Sequence, residues 1–94
     1  MKKVTLFYLT NCPYCHNAKR ALDELFSYDQ RYSEIEIKWI EESQESELAA
    51  QYDYYYVPTV YFGDKKLYEA DPSEDYADCK LKLKSALDTV LHEK

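Results

Sequence analysis

Cys12-Pro13-Tyr14-Cys15 decides the fold, because this stretch separates two segments with different hydrophobic patterns. The segment before it, Val4 to Leu9, is apolar or aromatic at nearly every position, which predicts a strand at about 3–9 buried on both faces. The segment after it repeats apolar residues every three or four positions, which predicts a helix at about 13–27. These residues are Ala18, Ala21, Leu22, Leu25 and Phe26. Two thiols at such a junction predict a thiol–disulfide oxidoreductase, because they can open and close a disulfide by thiolate exchange.

The position of each cysteine in the turn predicts its role. An attacking thiol must be ionised, and the amino end of a helix favours a thiolate through its unpaired N–H groups and its dipole. Cys12 lies at that end and is the predicted nucleophile. Cys15 lies one turn further in, so we expect it to be buried and protonated, and to resolve the mixed disulfide. Pro13 suits a first helical position and stiffens the turn, and Tyr14 is expected beside the sulfurs as an apolar wall with a hydroxyl.

The middle of the chain continues the alternation of strands and helices. Ile35, Ile37 and Trp39 alternate with charged residues, which predicts a half-exposed strand at about 33–40. Apolar residues at helical spacing predict a second helix at 43–54. The acids near its start, interpreted as a solvated helix start, are Glu41, Glu42, Glu45 and Glu47. The first two strands are expected to be parallel, with a right-handed crossover.

A hairpin and a last helix complete the predicted order β-α-β-α-β-β-α, an α/β fold. Val57-Pro58-Thr59 opens a strand that reaches Phe62, Gly63-Asp64 turns it, and 65–70 returns as the second arm. Asp71-Pro72-Ser73-Glu74 has the pattern of a helix start, with an N-cap Asp and Pro at the first position. The last helix is predicted at about 72–92. Its apolar face comprises Tyr76, Cys79, Leu83, Ala86, Leu87, Val90 and Leu91.

Val57-Pro58 is the second stretch assigned to the site. Proline at the head of a strand in a central sheet is unusual, because it cannot donate to the ladder. We predict a cis Val57–Pro58 bond, which presents the Val57 backbone to the extended chain of a substrate. An ordinary trans proline is the alternative. The preceding Tyr54, Tyr55 and Tyr56 form an aromatic rim for a polypeptide substrate or, alternatively, pack inside the fold.

Length and charge limit the possible classes of protein. Ninety-four residues with 46% hydrophobic content suit one domain spanning 1–94, which we expect to be monomeric. A net charge of −6 argues against nucleic-acid binding. No stretch has the length of a membrane span or the pattern of a signal peptide. Three cysteines are too few for a disulfide scaffold, so a cytoplasmic location is predicted.

The CPYC tetrapeptide at 12–15, followed by His16, Ala18, Lys19 and Leu22 and then by Val57-Pro58, resembles glutaredoxin within the thioredoxin-fold superfamily. The resemblance implies a four-stranded mixed sheet flanked by helices, no bound cofactor, and disulfide-containing protein substrates or small mixed disulfides. It also implies Cys12 as nucleophile and a cis Pro58 facing the dithiol. Thr59 and Asp71 complete the expected substrate-binding set of Pro13, Tyr14, Val57 and Pro58.

Two departures from the family pattern count against glutathione as co-substrate. Leu9 stands where a lysine usually helps bind its carboxylate, and Leu67-Tyr68-Glu69-Ala70-Asp71 replaces a Gly-Gly pair and the residues after it. Glu69 is expected to repel an anionic tripeptide, and Asp71 alone remains to take its amino group. The alternative electron source is a flavoprotein of the thioredoxin-reductase type.

Other readings of the dithiol remain open. A redox sensor or binding module can use the same dithiol as a switch without turnover. Cys12 to His16 also matches the c-type haem attachment motif, but the sole methionine is the first residue and the flanking pattern fits the redox fold better. A zinc or iron–sulfur site lacks a second cysteine pair. Cys79 is interpreted as a core thiol, with regulatory oxidation as the alternative, and His16 as a surface residue.

Overall fold

Seven α-helices and β-strands follow one another along residues 2–93, the part of the chain that the computed structural model describes. In chain order they are β1 (Lys2–Tyr8), α1 (Pro13–Tyr28), β2 (Ile35–Glu41), α2 (Ser46–Ala49), β3 (Thr59–Phe62), β4 (Lys65–Glu69) and α3 (Tyr76–His92). A 3₁₀ turn, Gln30–Glu34, leads from α1 into β2. The predicted element order is confirmed.

The strands form one mixed sheet in the order β2-β1-β3-β4. β1 pairs with β2 in parallel, from Lys2 opposite Ile35 to Tyr8 opposite Glu41. β3 runs antiparallel to both β1 and β4. Gly63 turns the β3–β4 hairpin with φ +64°, a left-handed conformation that glycine adopts without steric cost. Because β1 lies in the middle, its carboxyl end, which leads to Cys12, is flanked by β2 and β3.

Apolar residues cover both faces of the sheet. On one face, α1 and α3 pack over β1, with Leu6, Leu22, Leu83 and Val90 in the larger cluster. On the other face, Phe7 heads a smaller cluster. Its remaining buried members are Ile40, Ala49 and Tyr61, with Leu48, Tyr52, Tyr54 and Val57 packed against it. β1 therefore contributes to both clusters, as its unbroken apolar run predicts. Full burial of one large apolar side chain, such as Leu6 or Phe7, stabilises the fold by about 1.5–3 kcal/mol.

The second helix is much shorter than predicted. The spacing predicts 43–54, but α2 covers only Ser46–Ala49. Glu41 prevents an earlier start, because its Oε1 accepts hydrogen bonds from the backbone and the hydroxyl of Ser43, both at 2.7 Å. Beyond Ala49 the chain unwinds, and Tyr52 and Tyr54 pack against Phe7 with ring centroids 4.7 and 5.2 Å away.

The start of the last helix is also corrected. Asp71 was the predicted N-cap, but α3 begins four residues later, with Asp75 as N-cap and a capping box between Asp75 and Asp78. Glu74 accounts for the difference, because its Oε1 accepts from the Asp71 amide at 2.7 Å and from the Tyr68 hydroxyl at 3.0 Å. The predicted apolar face is confirmed, since Cys79, Leu83, Ala86, Leu87 and Val90 are all buried.

Candidate active site

Cys12 is the N-cap residue of α1, and Pro13 follows it at the start of the helix. Its side chain is half-buried and makes no capping hydrogen bond. Its carbonyl accepts the amide of His16 at 3.1 Å, which begins the helical ladder. The Sγ atom lies 3.7 Å from the carbonyl oxygen of Val57. The first cysteine therefore stands between the amino end of a helix and the segment that precedes Pro58.

Cys15 lies one turn further on and has a different environment. Its side chain is only 5% exposed, and both it and Cys12 are free thiols. The pKa of the Cys15 thiol is raised from 9.0 to about 12, chiefly by burial, with smaller contributions from hydrogen bonding to the Cys12 side chain and from its charge. The expected buried, protonated second thiol is present.

The loop before Cys12 is held by β2. Glu41 Oε2 accepts hydrogen bonds from the amide and the hydroxyl of Thr10, at 3.2 and 2.9 Å. The Thr10 carbonyl in turn accepts from the exposed His16 ring at 2.8 Å. The bonds from Ser43, followed by those from Thr10, lower the pKa of Glu41 to about 2. Glu41 is thus a half-buried anchor of the site, not part of the predicted solvated helix start.

The Val57–Pro58 peptide bond is cis, as predicted. Pro58 is buried, and its carbonyl accepts the Ala70 amide at 3.0 Å, which joins this segment to the end of β4. Thr59 is fully buried, and its hydroxyl donates to the Tyr56 carbonyl at 2.5 Å. The structure therefore places Val57 beside Cys12, and places the Thr59 side chain beneath the segment where solvent does not reach it.

Glu69 holds the two residues before Val57. Its Oε2 accepts the backbone amides of Tyr55 and Tyr56 at 2.6 and 2.8 Å, and its Oε1 accepts the Lys66 ammonium at 2.7 Å. Burial opposes ionisation, but these three donors together lower the pKa of Glu69. The sequence suggested a free repelling charge here. In the structure that charge is paired with Lys66 and directed at the backbone.

The segment before α3 borders the site on another side. The Tyr14 hydroxyl donates to the Pro72 carbonyl at 3.1 Å, and the ring stays 37% exposed. Asp71 is exposed, and its Oδ1 accepts the amide and hydroxyl of Ser73 at 2.9 and 2.8 Å. These two bonds lower the pKa of Asp71. Tyr14 therefore connects the dithiol turn to the segment that contains Asp71.

The sequence does not predict the role of Glu42 near the dithiol. Glu42 is half-buried and accepts the Tyr54 hydroxyl at 2.6 Å, and its negative charge adds slightly to the raised pKa of Cys15. Contacts between residues distant in sequence place Glu42 here, so local pattern carries no signal for it. Leu9, at the position where a lysine was expected, shares with Cys15 the wall of a groove of about 410 Å³.

Cys79 lies in the core, 4% exposed, where the Tyr68 hydroxyl is 3.4 Å from its sulfur. Within residues 2–93, no three His, Cys, Asp or Glu side chains converge in a way that could hold a metal ion. The helices in the same range are too short or too polar to cross a membrane.

Comparison with known proteins identifies the family. The glutaredoxin profile matches residues 4–67, which include most of β1, the dithiol turn, the cis proline and most of the hairpin. The chain belongs to the glutaredoxin family. No curated protein sequence matches this glutaredoxin significantly.

Solved structures agree on the architecture of this glutaredoxin. One is described as a malarial protein, with a TM-score of 0.60 and 20% identity over 90% of this chain and 96% of its own. Another is a mutant thioredoxin from Halobacterium salinarum NRC-1, with a TM-score of 0.63 and 17% identity over 98% of this chain and 76% of its own. At these identities the likeness shows the thioredoxin fold alone. Family and fold together support a thiol–disulfide oxidoreductase-like function.

Proposed function

We propose that this glutaredoxin is a dithiol enzyme that reduces protein disulfides or small mixed disulfides, with Cys12 as nucleophile and Cys15 as resolving thiol. The observation that carries the proposal is the difference between the two sulfurs. Cys12 is half-buried at the open end of α1, whereas Cys15 is buried and has a pKa raised to about 12. Of the two sulfurs, Cys12 is therefore the one that a substrate disulfide can reach.

The proposed reaction has two exchange steps. The Cys12 thiolate attacks one sulfur of the substrate disulfide, forming a mixed disulfide and releasing the first substrate thiolate. Cys15 then loses its proton and attacks the Cys12 sulfur, which releases the second substrate thiolate and leaves a Cys12–Cys15 disulfide. Two electrons have passed from the protein to the substrate, and its two thiolates can take up the proton that Cys15 lost and a second proton from solvent. A thiol or dithiol reductant returns the two electrons to the protein by the same exchange steps in reverse order.

The remaining site residues support these steps. Pro13 and the Glu41–Thr10 bonds fix the turn that carries Cys12. The Val57 backbone, 3.7 Å from Cys12 Sγ through its carbonyl, is the proposed contact for an extended substrate chain. Pro58 and Thr59 support that contact from below, and Tyr14 and Asp71 border it.

We further propose that electrons come from a flavoprotein reductase rather than from glutathione. Glutathione carries two carboxylates, and their usual partners in proteins are lysine and arginine. At the position expected to meet one of them, this chain has Leu9, and Glu69 stands in the segment that replaces the Gly-Gly pair. The Lys66 ammonium is already bonded to Glu69 at 2.7 Å.

The assignment of roles is tested with three serine variants. With dithiothreitol as electron source and insulin as substrate, Cys12→Ser is expected to abolish turnover. Cys15→Ser is expected to keep the first step and accumulate a mixed disulfide that mass spectrometry detects. Cys79→Ser is the matched control, since it removes a buried thiol outside the site and is expected to retain turnover. Activity in Cys12→Ser, or equal loss of the first step in both active-site variants, would contradict the proposal.

A second assay separates the electron sources and the sensor alternative. NADPH with thioredoxin reductase is expected to sustain turnover, whereas glutathione with glutathione reductase is expected to sustain little. The reverse result would exclude the proposed electron source but not the dithiol mechanism. A single stoichiometric oxidation with no turnover from either source would instead support a redox sensor.

A further inference from the structure

Six large apolar or aromatic side chains are exposed in residues 2–93, and three of them, Tyr14, Tyr55 and Tyr56, lie on the segments that carry Cys12 and Pro58. We call these three the tyrosine rim. Tyr55 is 90% exposed and Tyr56 is 52% exposed, and neither belongs to the clusters that cover the sheet. Their exposure therefore has no explanation in the packing of this fold.

The backbone of Tyr55 and Tyr56 is held by three hydrogen bonds with side chains. Glu69 accepts both amides at 2.6 and 2.8 Å, and the Tyr56 carbonyl accepts the buried Thr59 hydroxyl at 2.5 Å. The rings thus project from a segment whose position relative to Val57 and Cys12 is set in advance. Such preorganisation reduces the ordering cost of binding, and tyrosine is enriched at protein interfaces.

We propose that the tyrosine rim is the docking surface for a cationic polypeptide segment next to the substrate disulfide, and that Glu69 positions this surface. The proposal rests on the proposed function, because docking matters only if Cys12 attacks the bound disulfide. Two observations select a cationic partner. The faces of exposed aromatic rings attract ammonium and guanidinium groups. Asp71, an exposed carboxylate held ionised by Ser73, adjoins the segment that Tyr14 contacts.

Nearby positive charge does not cancel this preference. Lys66 has its ammonium bonded to Glu69 and to the Asp53 carbonyl, at 2.7 and 3.3 Å, and Lys82, whose charge reaches Asp71, has its ammonium 3.9 Å from Glu74 Oε2. The whole chain carries a net charge of −6, which accelerates encounter with cations at low salt. An anionic segment would instead be repelled by the exposed carboxylate of Asp71 and by the net charge of the chain.

The test measures the first exchange step on matched disulfides. Two synthetic peptides of equal length each carry one cysteine as a mixed disulfide with pyridinethiol. The cysteine is flanked by lysine and arginine in one peptide and by glutamate in the other. Dipyridyl disulfide is the small reference. Single-turnover release of pyridinethione gives the rate constant of each disulfide with the protein. That value is divided by the rate constant of the same disulfide with mercaptoethanol, which corrects for the intrinsic reactivity of the disulfide. The cationic peptide is expected to react about 10-fold faster than the acidic one, and the advantage is expected to shrink as salt rises.

Variants then assign the preference to the rim. Tyr55→Ser combined with Tyr56→Ser is expected to lower the cationic-to-reference rate ratio about 10-fold. Tyr28→Ser, which removes a tyrosine 83% exposed at the end of α1, is the control and is expected to leave the ratio unchanged. Glu69→Ala is expected to lower the same rate ratio. The cause is expected to be weaker binding of the cationic peptide, with a similar limiting rate of the first exchange step at saturating peptide. Glu69→Gln, which keeps an acceptor oxygen, is expected to retain part of the preference.

The outcomes separate this inference from the proposed function. Equal normalised rates for both peptides, or an unchanged ratio in the double tyrosine variant, would overturn the docking surface while the dithiol mechanism stands. If Cys12 reacts with none of the three disulfides, the proposed function itself is overturned. A Glu69→Ala protein that loses the limiting rate as well as affinity would contradict its positioning role.

Discussion

The rate at which Cys15 resolves the mixed disulfide should depend steeply on pH. The perturbation is a series of buffers from about pH 6 to pH 9, applied to the reduced protein with dipyridyl disulfide in excess. Attack by Cys12 releases one pyridinethione in a phase whose rate depends on reagent concentration. Resolution by Cys15 releases the second pyridinethione in a phase whose rate is independent of reagent concentration.

The expected magnitude follows from the environment of Cys15. Burial raises its pKa from 9.0 to about 12, so at neutral pH its thiolate fraction falls roughly 1,000-fold. A more basic thiolate is also more nucleophilic, with a Brønsted coefficient of about 0.4–0.5, and this raises the rate constant of the thiolate roughly 20-fold. The net chemical penalty is therefore at most about 50-fold relative to an ordinary cysteine held at the same distance. Burial, the largest cause, persists in the mixed disulfide, whereas the contribution of a free Cys12 thiol does not.

The assay therefore has a clear signature. The rate of the second phase should rise about tenfold for each pH unit, because the thiolate fraction does so below the pKa. Cys15→Ser should show the first phase alone. A second phase that is independent of pH across this range would refute the assignment of a buried, protonated resolving thiol. A second phase that survives in Cys15→Ser would refute it as well.

Three further predictions test the fold around the site. Asp75→Ala should cost about 0.5–2 kcal/mol in the free energy of unfolding by denaturant, since Asp75 caps α3; a larger loss in Asp71→Ala would restore the sequence-based helix start. Leu83→Ala, at a side chain 1% exposed, should cost about 2–5 kcal/mol, whereas Leu81→Ala, 68% exposed on the same helix, should change stability by less than about 0.5 kcal/mol. The pKa of Glu41 is depressed from 4.5 to about 2, so its contribution to stability is present above pH 4.5 and is lost as the pH falls toward 2. Thermal melts should then show a smaller acid-induced loss for Glu41→Gln than for the natural chain, and parallel curves would contradict this.

The sequence alone predicted the parts of this fold whose causes are local. The unbroken apolar run of β1, the apolar stripe on α1 and the Gly63 turn each depend on neighbouring residues, and each is present in the structure. The dithiol turn and the cis proline were also predicted, because CPYC resembles the glutaredoxin pattern and Pro58 stands at the head of a strand where proline is unusual.

The errors come from contacts between residues far apart in sequence. Tyr32 is fully buried with its hydroxyl 2.6 Å from Asp88, 56 positions away, a contact that no local pattern indicates. The end of β4 shows the same limit, since no pattern near Glu69 indicates bonds to amides more than ten residues earlier. Glu74 likewise turns toward Tyr68 instead of starting a helix. A side chain that can satisfy either a local or a distant partner is not assigned by spacing.

The position of the single glycine limits how this protein can change. Gly63 is at the tip of the β3–β4 hairpin, and the stretches 9–15 and 53–58 that surround the sulfurs contain none. No non-glycine residue among 2–93 has a positive φ. Large backbone rearrangements there would force side chains into costly conformations. New selectivity should therefore arise in this lineage by exchanging side chains on an unchanged framework, and directed evolution should target ring and charge substitutions before loop insertions.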